Sequence, residues 1–178
     1  MTERSVAGTL YQRRDCPECA ALNAVLCAAF LACPEHLVLR RSHFFNGRYE
    51  NIYIAAEALP GLGALLAQAR DFAAEILGIA PTRLRLGFWF NAMPPGAVTL
   101  AHAHDDDDEL LSAAYYLQVP AHSGDLLIHD GGYCARITPL PGQFVFFAPQ
   151  RLHEVTRNDS GQLRLSLGIN FGLAETAG

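Results

Sequence analysis

The stretch Val98-Thr-Leu-Ala-His102-Ala-His104 decides the predicted fold, because an apolar, β-prone segment here ends in two histidines one residue apart. Side chains two positions apart on a β-strand point to the same face, so both imidazoles are expected to converge. A third histidine, His153, follows the apolar segment Gln143–Ala148 and is expected to approach from a neighbouring strand pair. Such a set can occupy one face of a metal ion and leave the opposite face open to other ligands.

Short β-prone segments separated by proline and glycine surround this pair. Eight of them follow one another from residue 84 to residue 171. They are Leu84–Met93, Val98–His104, Leu110–Val119, Asp125–His129, Ala135–Thr138, Gln143–Ala148, His153–Arg157 and Leu163–Phe171. This spacing is typical of a double-sheet jelly roll, so we predict a mainly β fold with N-terminal helices, built on a double-stranded β-helix, cupin-like barrel.

The N-terminal part carries a different pattern. A first helix is expected to start around Asp15 and Pro17, and Asn46-Gly47 between two β-prone runs predicts a hairpin. Apolar residues at helical spacing predict a second helix over Gly61–Leu77.

Two helices and one hairpin would lack a core of their own. We therefore predict a single domain over residues 1–178, in which residues 1–83 support a catalytic core at residues 84–172.

Composition excludes several classes of protein. Apolar residues make up 51% and charged residues 17% of the 178-residue chain, which excludes a disordered protein. The apolar run Ala20–Ala32 is too short for a membrane span, and no secretory signal opens the chain, so we expect a soluble, cytoplasmic protein that does not bind membranes. All 13 basic residues are arginine and the net charge is −5, which argues against Schiff-base chemistry, a phosphate-binding loop and nucleic-acid binding.

Four of the five cysteines lie between residues 16 and 33. Cys16-Pro-Glu-Cys19 could be half of a redox or zinc site, but no second pair completes it. At 100° per residue, Cys16, Cys19 and Cys27 share one helix face, so we favour buried structural thiols.

A run of acidic residues follows the histidine pair and offers a carboxylate as an alternative metal ligand. His104-Asp105-Asp106 contains a His-x-Asp, so the metal could instead be held by His104, Asp106 and His153. Of the other histidines, His36, His43 and His122 are expected to be surface residues or core residues with satisfied hydrogen bonds. His129 is expected in a turn.

Longer motifs extend these observations. They are Met93-Pro-Pro-Gly96-x5-His102-x-His104, Leu111-Ser-Ala-Ala-Tyr-Tyr116, Pro141-Gly-Gln-Phe-Val-Phe-Phe147 and His153-Glu-Val-x8-Arg164-Leu-Ser166-x3-Asn170. Together they resemble the 2-oxoglutarate/Fe(II)-dependent dioxygenases, in particular the bacterial and phage branch with His-x-His and Arg-x-Ser. The resemblance covers roughly residues 84–172.

The resemblance implies a role for individual residues. His102, six residues after Gly96, would be the first iron ligand and His153 the distal one. His104 stands where many relatives carry aspartate. Arg164 and Ser166 would bind 2-oxoglutarate, and Tyr116 matches a tyrosine that often contacts this cosubstrate.

The residues themselves agree with a carboxylate-binding role for Arg164. In a chain without lysine, only arginine offers a bidentate cation to the distal carboxylate of 2-oxoglutarate. The alternation with Leu163, Leu165 and Leu167 leaves a second possibility, that Arg164 lies on a solvent-exposed strand face. Tyr115 and Tyr116 should face opposite ways.

Three functions are compatible with these features. The first is an Fe(II)- and 2-oxoglutarate-dependent dioxygenase that oxidises a small-molecule or peptide substrate with O2. The second is a cupin-type enzyme with a three-histidine metal and no 2-oxoglutarate. The third is a non-catalytic metal- or ligand-binding barrel. Arg164 with Ser166 favours the first, and the sequence leaves the substrate and the oligomeric state open.

Overall fold

Eleven β-strands and two α-helices make up the fold in a computed structural model, which describes residues 10–16, 18–104 and 108–175. The elements in chain order are β1 (Gln12–Asp15), α1 (Cys19–Leu31), β2 (Val38–Phe45), β3 (Arg48–Ile54), α2 (Leu62–Leu77), β4 (Leu84–Met93), β5 (Thr99–His102), β6 (Glu109–Gln118), β7 (Leu126–Asp130), β8 (Tyr133–Ile137), β9 (Gln143–Phe147), β10 (His153–Val155) and β11 (Arg164–Leu173).

The strands form two antiparallel sheets. The larger sheet has the order β1-β9-β6-β11-β4-β3-β2, and the smaller sheet has the order β5-β10-β7-β8. All eight strands predicted after residue 83 are present, and no strand end is shifted by more than two residues. This mainly β architecture with two helices confirms the predicted fold class.

Local sequence signals explain the N-terminal elements. Asn46 and Gly47 have φ values of 48° and 77°, as a two-residue hairpin turn between β2 and β3 requires. Gly78 ends α2 in the left-handed conformation, with a φ of 68°. The predicted hairpin and second helix are therefore confirmed.

Two clusters of apolar side chains fill the spaces between the layers of the fold. The larger one joins the helices to one face of the seven-stranded sheet, with Leu26 and Leu62 packed among residues such as Phe90 and Phe144. The smaller one lies between the two sheets and includes Ile128 and other apolar residues of β6, β7, β8 and β9. The space between the sheets also holds the candidate site.

Alternation along the strands assigns each residue to a layer. Tyr115 joins the helix-side cluster and Tyr116 the cluster between the sheets, as predicted. On β11, Leu165 and Leu167 pack towards the helices, which leaves Arg164 and its same-face neighbours on the inner side.

The structure corrects the prediction for the cysteines. Helix α1 begins at Cys19, so Cys16 does not share its face. Cys16 and Cys19 form a disulfide, whereas two buried thiols were expected. The reason is that Cys16 directly follows β1, a strand that was not predicted and that pairs with β9. The turn after Cys16 then brings the two sulfurs together.

Within the described part of the chain, no helix has the length and apolar character needed to cross a membrane.

Candidate metal centre

Three histidines meet at one end of the space between the sheets. His102 on β5 is the direct cross-strand partner of His153 on β10, and their ring centroids lie 4.3 Å apart. His104 follows β5, with its ring 5.2 Å from that of His102 and 5.3 Å from that of His153. One nitrogen from each ring lies within 4.8 Å of the others, a spacing that allows a shared metal ion.

Backbone carbonyls orient two of these rings in the same way. Nδ1 of His102 lies 2.8 Å from the carbonyl oxygen of Leu100, and Nδ1 of His153 lies 2.9 Å from that of Arg151. A carbonyl can only accept, so each Nδ1 carries the proton and each Nε2 presents its lone pair. This is the tautomer in which an imidazole binds a metal through Nε2.

His153 is the most enclosed of the three histidines. Burial, with smaller contributions from the nearby His102 and His104, lowers its pKa from 6.5 to about 3. A neutral imidazole is the form that binds a metal, so His153 could bind one at neutral pH without losing a proton.

His104 is held from its backbone. Its N–H donates to the carbonyl of Pro149 at 2.9 Å, and its ring lies 5.5 Å from the indole of Trp89. Asp106, the alternative ligand, lies outside the described residues. The prediction that it could replace one histidine therefore stays open.

The remaining histidines lie elsewhere. His36, His43 and His122 are exposed, which is the first of the two predicted alternatives. His129 lies within β7, one residue before its end, and not in a turn as expected; its Nε2 lies 2.9 Å from Oε1 of Glu154. None of them joins the histidine cluster within the described residues.

Arg164 lines the same cavity as the three histidines. Arg164 is only 1% exposed, so the alternative that it lies on a solvent-exposed strand face is wrong. Its Nη1 donates to the carbonyls of Ser123 and Gly124, and its Cζ lies 5.3 Å from the ring centroid of Tyr116. No carboxylate forms an ion pair with it among the described residues.

Gly124 has to be glycine for this contact. Its φ is 99°, and a Cβ there would lie 2.3 Å from the carbonyl oxygen of Thr156. The backbone can therefore approach closely enough for the Gly124 carbonyl to reach Arg164.

Three polar atoms of cavity-lining residues lack hydrogen-bond partners within the described chain. These are Arg164 Nε, the hydroxyl oxygen of Tyr116 and Oδ1 of Asn91. Burial raises the pKa of Tyr116, so its side chain stays a neutral phenol that can donate a hydrogen bond. Burial lowers the pKa of Arg164, but the guanidinium remains a cation. Ser166, the cross-strand partner of Tyr116, also lines the cavity. Together, Arg164, Tyr116 and Ser166 present donors to an anionic ligand.

Further residues of the site were missed from the sequence. Trp89, Asn91, Ser112 and Asn170 all line the cavity. Each stands on the polar or inward face of its strand, so the alternation along β4, β6 and β11 was the signal that could have found them.

Asn158, which is completely buried, was also missed from the sequence. Its Nδ2 donates to the carbonyls of Met93 and Gln162, and its Oδ1 accepts from Ser160. Its backbone exchanges hydrogen bonds with Gly96 and Ala97. It thereby ties the turn before His102 to the loop before Arg164.

The side chains that line the cavity suit two kinds of ligand. Three imidazoles suit a divalent transition metal such as Fe(II). The unpartnered donors of Arg164 and Tyr116 suit a carboxylate, which supplies only acceptors.

Comparisons agree with this interpretation at the level of the fold. No protein-family model and no curated protein matches the sequence. Among solved structures, a Pseudomonas putida prolyl-4-hydroxylase is similar, with a TM-score of 0.65 and 22% identity over 96% of this chain and 91% of that one. EvdO2 from Micromonospora carbonacea var. aurantiaca complexed with 2-oxoglutarate has a TM-score of 0.64 and 19% identity over 95% of this chain and 89% of that one.

A viral collagen prolyl hydroxylase from Paramecium Bursaria Chlorella virus-1, also a 2-oxoglutarate complex, is similar as well. Its TM-score is 0.66, with 17% identity over 96% of this chain and 99% of that one. A Burkholderia pseudomallei oxidoreductase of the 2-oxoglutarate-Fe(II) oxygenase family has a TM-score of 0.66. The chain therefore has the fold of the 2-oxoglutarate- and Fe(II)-dependent oxygenases.

Proposed function

We propose that this protein is an Fe(II)- and 2-oxoglutarate-dependent dioxygenase. The observation that carries the proposal is the position of Arg164, a buried cation without a carboxylate partner in the described chain, in the wall of the cavity that holds the three histidines. A buried guanidinium without an anion is costly, and a bound dicarboxylate would offset that cost.

His102, His104 and His153 would hold the iron. The carbonyls of Leu100 and Arg151 keep two of the rings in the metal-binding tautomer. When bound, Fe(II) with 2-oxoglutarate and O2 supplies the oxidising power for substrate oxidation, with release of succinate and CO2.

Arg164, Tyr116 and Ser166 would bind 2-oxoglutarate. The guanidinium and the phenol donate to its distal carboxylate, and the hydroxyl of Ser166 supports them. The carbonyls of Ser123 and Gly124 hold the guanidinium in place before the ligand arrives, so little of the binding free energy is spent on ordering it.

Apolar side chains exclude water around these groups. Phe147 lies 4.7 Å from the ring of His153, and Leu126 and Val155 also line the cavity. Lower polarity strengthens the interaction between Arg164 and a carboxylate.

We propose that the prime substrate, a small molecule or a peptide, approaches along β3 and β4. Trp89 borders the cavity beside His104, and Tyr53 on β3 lies 6.3 Å from the indole. Trp89 lies directly over Gly168, where a Cβ would be 2.4 Å from the ring. This side is therefore lined by aromatic surface, whereas Arg164 belongs to the cosubstrate side.

A cupin-type dioxygenase that uses the three histidines without 2-oxoglutarate is the second candidate, and it is favoured by one observation. His104 supplies imidazole where many relatives of the resembled family have a carboxylate. Arg164 has no assigned role in that alternative.

Anaerobic titration of 2-oxoglutarate into the Mn(II)-loaded protein tests the proposal. We expect one molecule bound per chain, and slow succinate formation once Fe(II) and O2 are supplied. The metal-free protein is the control and should bind 2-oxoglutarate more weakly. Stoichiometric metal binding without any 2-oxoglutarate binding would favour the cupin-type enzyme.

A further inference from the structure

The disulfide between Cys16 and Cys19 lies outside the metal cavity, at the junction of β1 and α1. Both residues are buried, but Glu18 between them and Ala20 after them are exposed, so the pair lies directly below the surface. Cys19 is the first residue of the 13-residue helix α1. A helix N-terminus stabilises a thiolate, and this is the setting in which Cys-x-x-Cys pairs exchange readily.

Two backbone hydrogen bonds connect the pair to the cosubstrate side of the cavity. The N–H of Cys16 donates to the carbonyl of Gly142 at 2.8 Å, and the N–H of Gly142 donates to the carbonyl of Tyr116 at 2.8 Å. Gly142 also packs closely against the pair, because a Cβ there would lie 3.3 Å from Cys16 O and 3.8 Å from Cys19 Cβ. A shift of the β1–α1 turn is therefore passed to Gly142.

Helix α1 provides a second connection to the same carbonyl. Asn23, four residues after Cys19, donates from Nδ2 to the carbonyl of Tyr116 at 3.4 Å. Its Oδ1 accepts from the hydroxyl of Tyr115 at 2.7 Å. The carbonyl of Tyr116 thus accepts hydrogen bonds from Gly142, which contacts Cys16, and from Asn23, which lies on the helix that begins at Cys19.

Strand β1 provides a third connection. Asp15 pairs with Gln143 at the start of β9, and Gln143 Nε2 donates to Asp15 Oδ1 at 3.0 Å. Gln143 directly follows Gly142 in the chain, so this hydrogen bond supports the same segment.

We propose that Cys16 and Cys19 form a redox-sensitive pair and that their reduction weakens 2-oxoglutarate binding through Gly142 and Tyr116. The identity of the ligand rests on the proposed function, whereas the connection from the disulfide to Tyr116 rests on the contacts above. The oxidised pair holds Gly142 and α1 in place. Reduction removes the constraint between the two sulfurs, so the Tyr116 carbonyl loses a fixed support and its phenol loses its alignment with Arg164.

The reaction is thiol–disulfide exchange with a small dithiol. A thiolate of the dithiol attacks one sulfur of the pair, the Cys16–Cys19 bond breaks, and a mixed disulfide forms. The second thiol of the dithiol, as a thiolate, then attacks the dithiol sulfur of this mixed disulfide and displaces the cysteine as a thiolate. Two electrons and two protons pass to the two cysteines, and the dithiol becomes a cyclic disulfide.

The test compares the oxidised protein with protein reduced by dithiothreitol, after anaerobic removal of the reductant and loading with Mn(II). Thiol titration in denaturant should find three thiols before reduction, those of Cys27, Cys33 and Cys134, and five after it. We expect 2-oxoglutarate to bind roughly fivefold more weakly to the reduced form, the scale of one net hydrogen bond, while Mn(II) affinity stays the same. Hydrogen exchange at the Gly142 amide should become faster.

Two variants serve as matched controls. Cys16→Ser with Cys19→Ser should behave like the reduced protein in both states. Cys134→Ser, which removes an exposed thiol on β8, should retain the full response.

Equal 2-oxoglutarate affinity in the oxidised protein with three thiols and the reduced protein with five would overturn the redox proposal. A count of five thiols before reduction would also overturn it, because the disulfide would then be absent. If neither state binds 2-oxoglutarate, the proposed function fails. In that case the Gly142 amide decides the coupling: faster exchange on reduction supports it and unchanged exchange overturns it.

Discussion

His102 and His153 face each other as direct cross-strand partners of β5 and β10, and each donates its Nδ1 proton to the carbonyl two residues before it in the chain. Matching hydrogen bonds on opposite strands turn both Nε2 lone pairs towards the same space. His104 completes the set from the end of β5. The geometry of the centre therefore depends on the pairing of two short strands in the smaller sheet.

Replacement of His153 should abolish metal binding. We expect His153→Ala to lose the single Fe(II) or Mn(II) per chain, because two remaining imidazoles hold a labile divalent ion too weakly. Metal analysis after dialysis measures this. His129→Ala, which removes a histidine outside the cluster, is the control. Full metal occupancy in His153→Ala would contradict the assignment.

Variants of His104 and Asp106 separate the two ligand sets. We expect His104→Ala and His102→Ala to lose the metal and Asp106→Ala to keep it, because the two imidazoles already lie beside His153. Calorimetric titration with Mn(II) provides the comparison. Metal loss with Asp106→Ala but not with His102→Ala would show that Asp106, and not His102, is the ligand beside His104 and His153.

Replacement of Arg164 should affect 2-oxoglutarate and not the metal. We expect Arg164→Leu to weaken 2-oxoglutarate binding by ~2–4 kcal/mol, the scale for losing one partner of a desolvated charge pair. Arg164→Lys should recover part of this loss, and Ser166→Ala should cost about 1 kcal/mol.

Titration into the Mn(II) form measures these changes, and the metal content verifies that the centre is intact. Arg83→Leu removes the same charge from an exposed position and should leave the affinity unchanged. An unaltered affinity in Arg164→Leu would remove the main support for the proposed function.

Gly168 should not tolerate a side chain while Trp89 is present. A Cβ would lie 2.4 Å from the rigid indole, so we expect Gly168→Ala to lower the free energy of unfolding by ~1–3 kcal/mol. Denaturant unfolding measures this loss. In the Trp89→Leu background the same substitution should cost much less, and equal costs in both backgrounds would show that the indole is not the obstacle.

The stability of the metal-free protein should fall in acid because of His153. Its pKa is lowered from 6.5 to about 3, so between these values the folded chain binds fewer protons at this site than the unfolded chain. The free energy of unfolding should therefore decrease as the pH falls from about 6.5 towards 3, by at most ~1.4 kcal/mol per pH unit.

Urea unfolding in the presence of a chelator measures this dependence. His153→Gln should have a shallower slope than the wild type, whereas His36→Gln, at an exposed position, should retain it. Identical slopes in His153→Gln and the wild type would refute the assignment to this residue.

Several features could be predicted because they depend on short stretches of chain. Short β-prone runs between proline and glycine located the strands after residue 83, and Asn46-Gly47 located a hairpin. The spacing of His102 and His104 predicted that their imidazoles would lie together.

Other features depended on which segments meet in space. Alternation shows that Arg164 and Leu165 face opposite ways, but not which face meets water, and only the packing of the sheets buries Arg164. The Cys16–Cys19 disulfide requires the turn that follows the pairing of β1 with β9. The sequence by itself thus determined the strands and the candidate ligands, because β-prone runs, turn residues and motif spacing are local features of the chain. The tertiary structure decided which faces are enclosed, because burial depends on segments far apart in the chain.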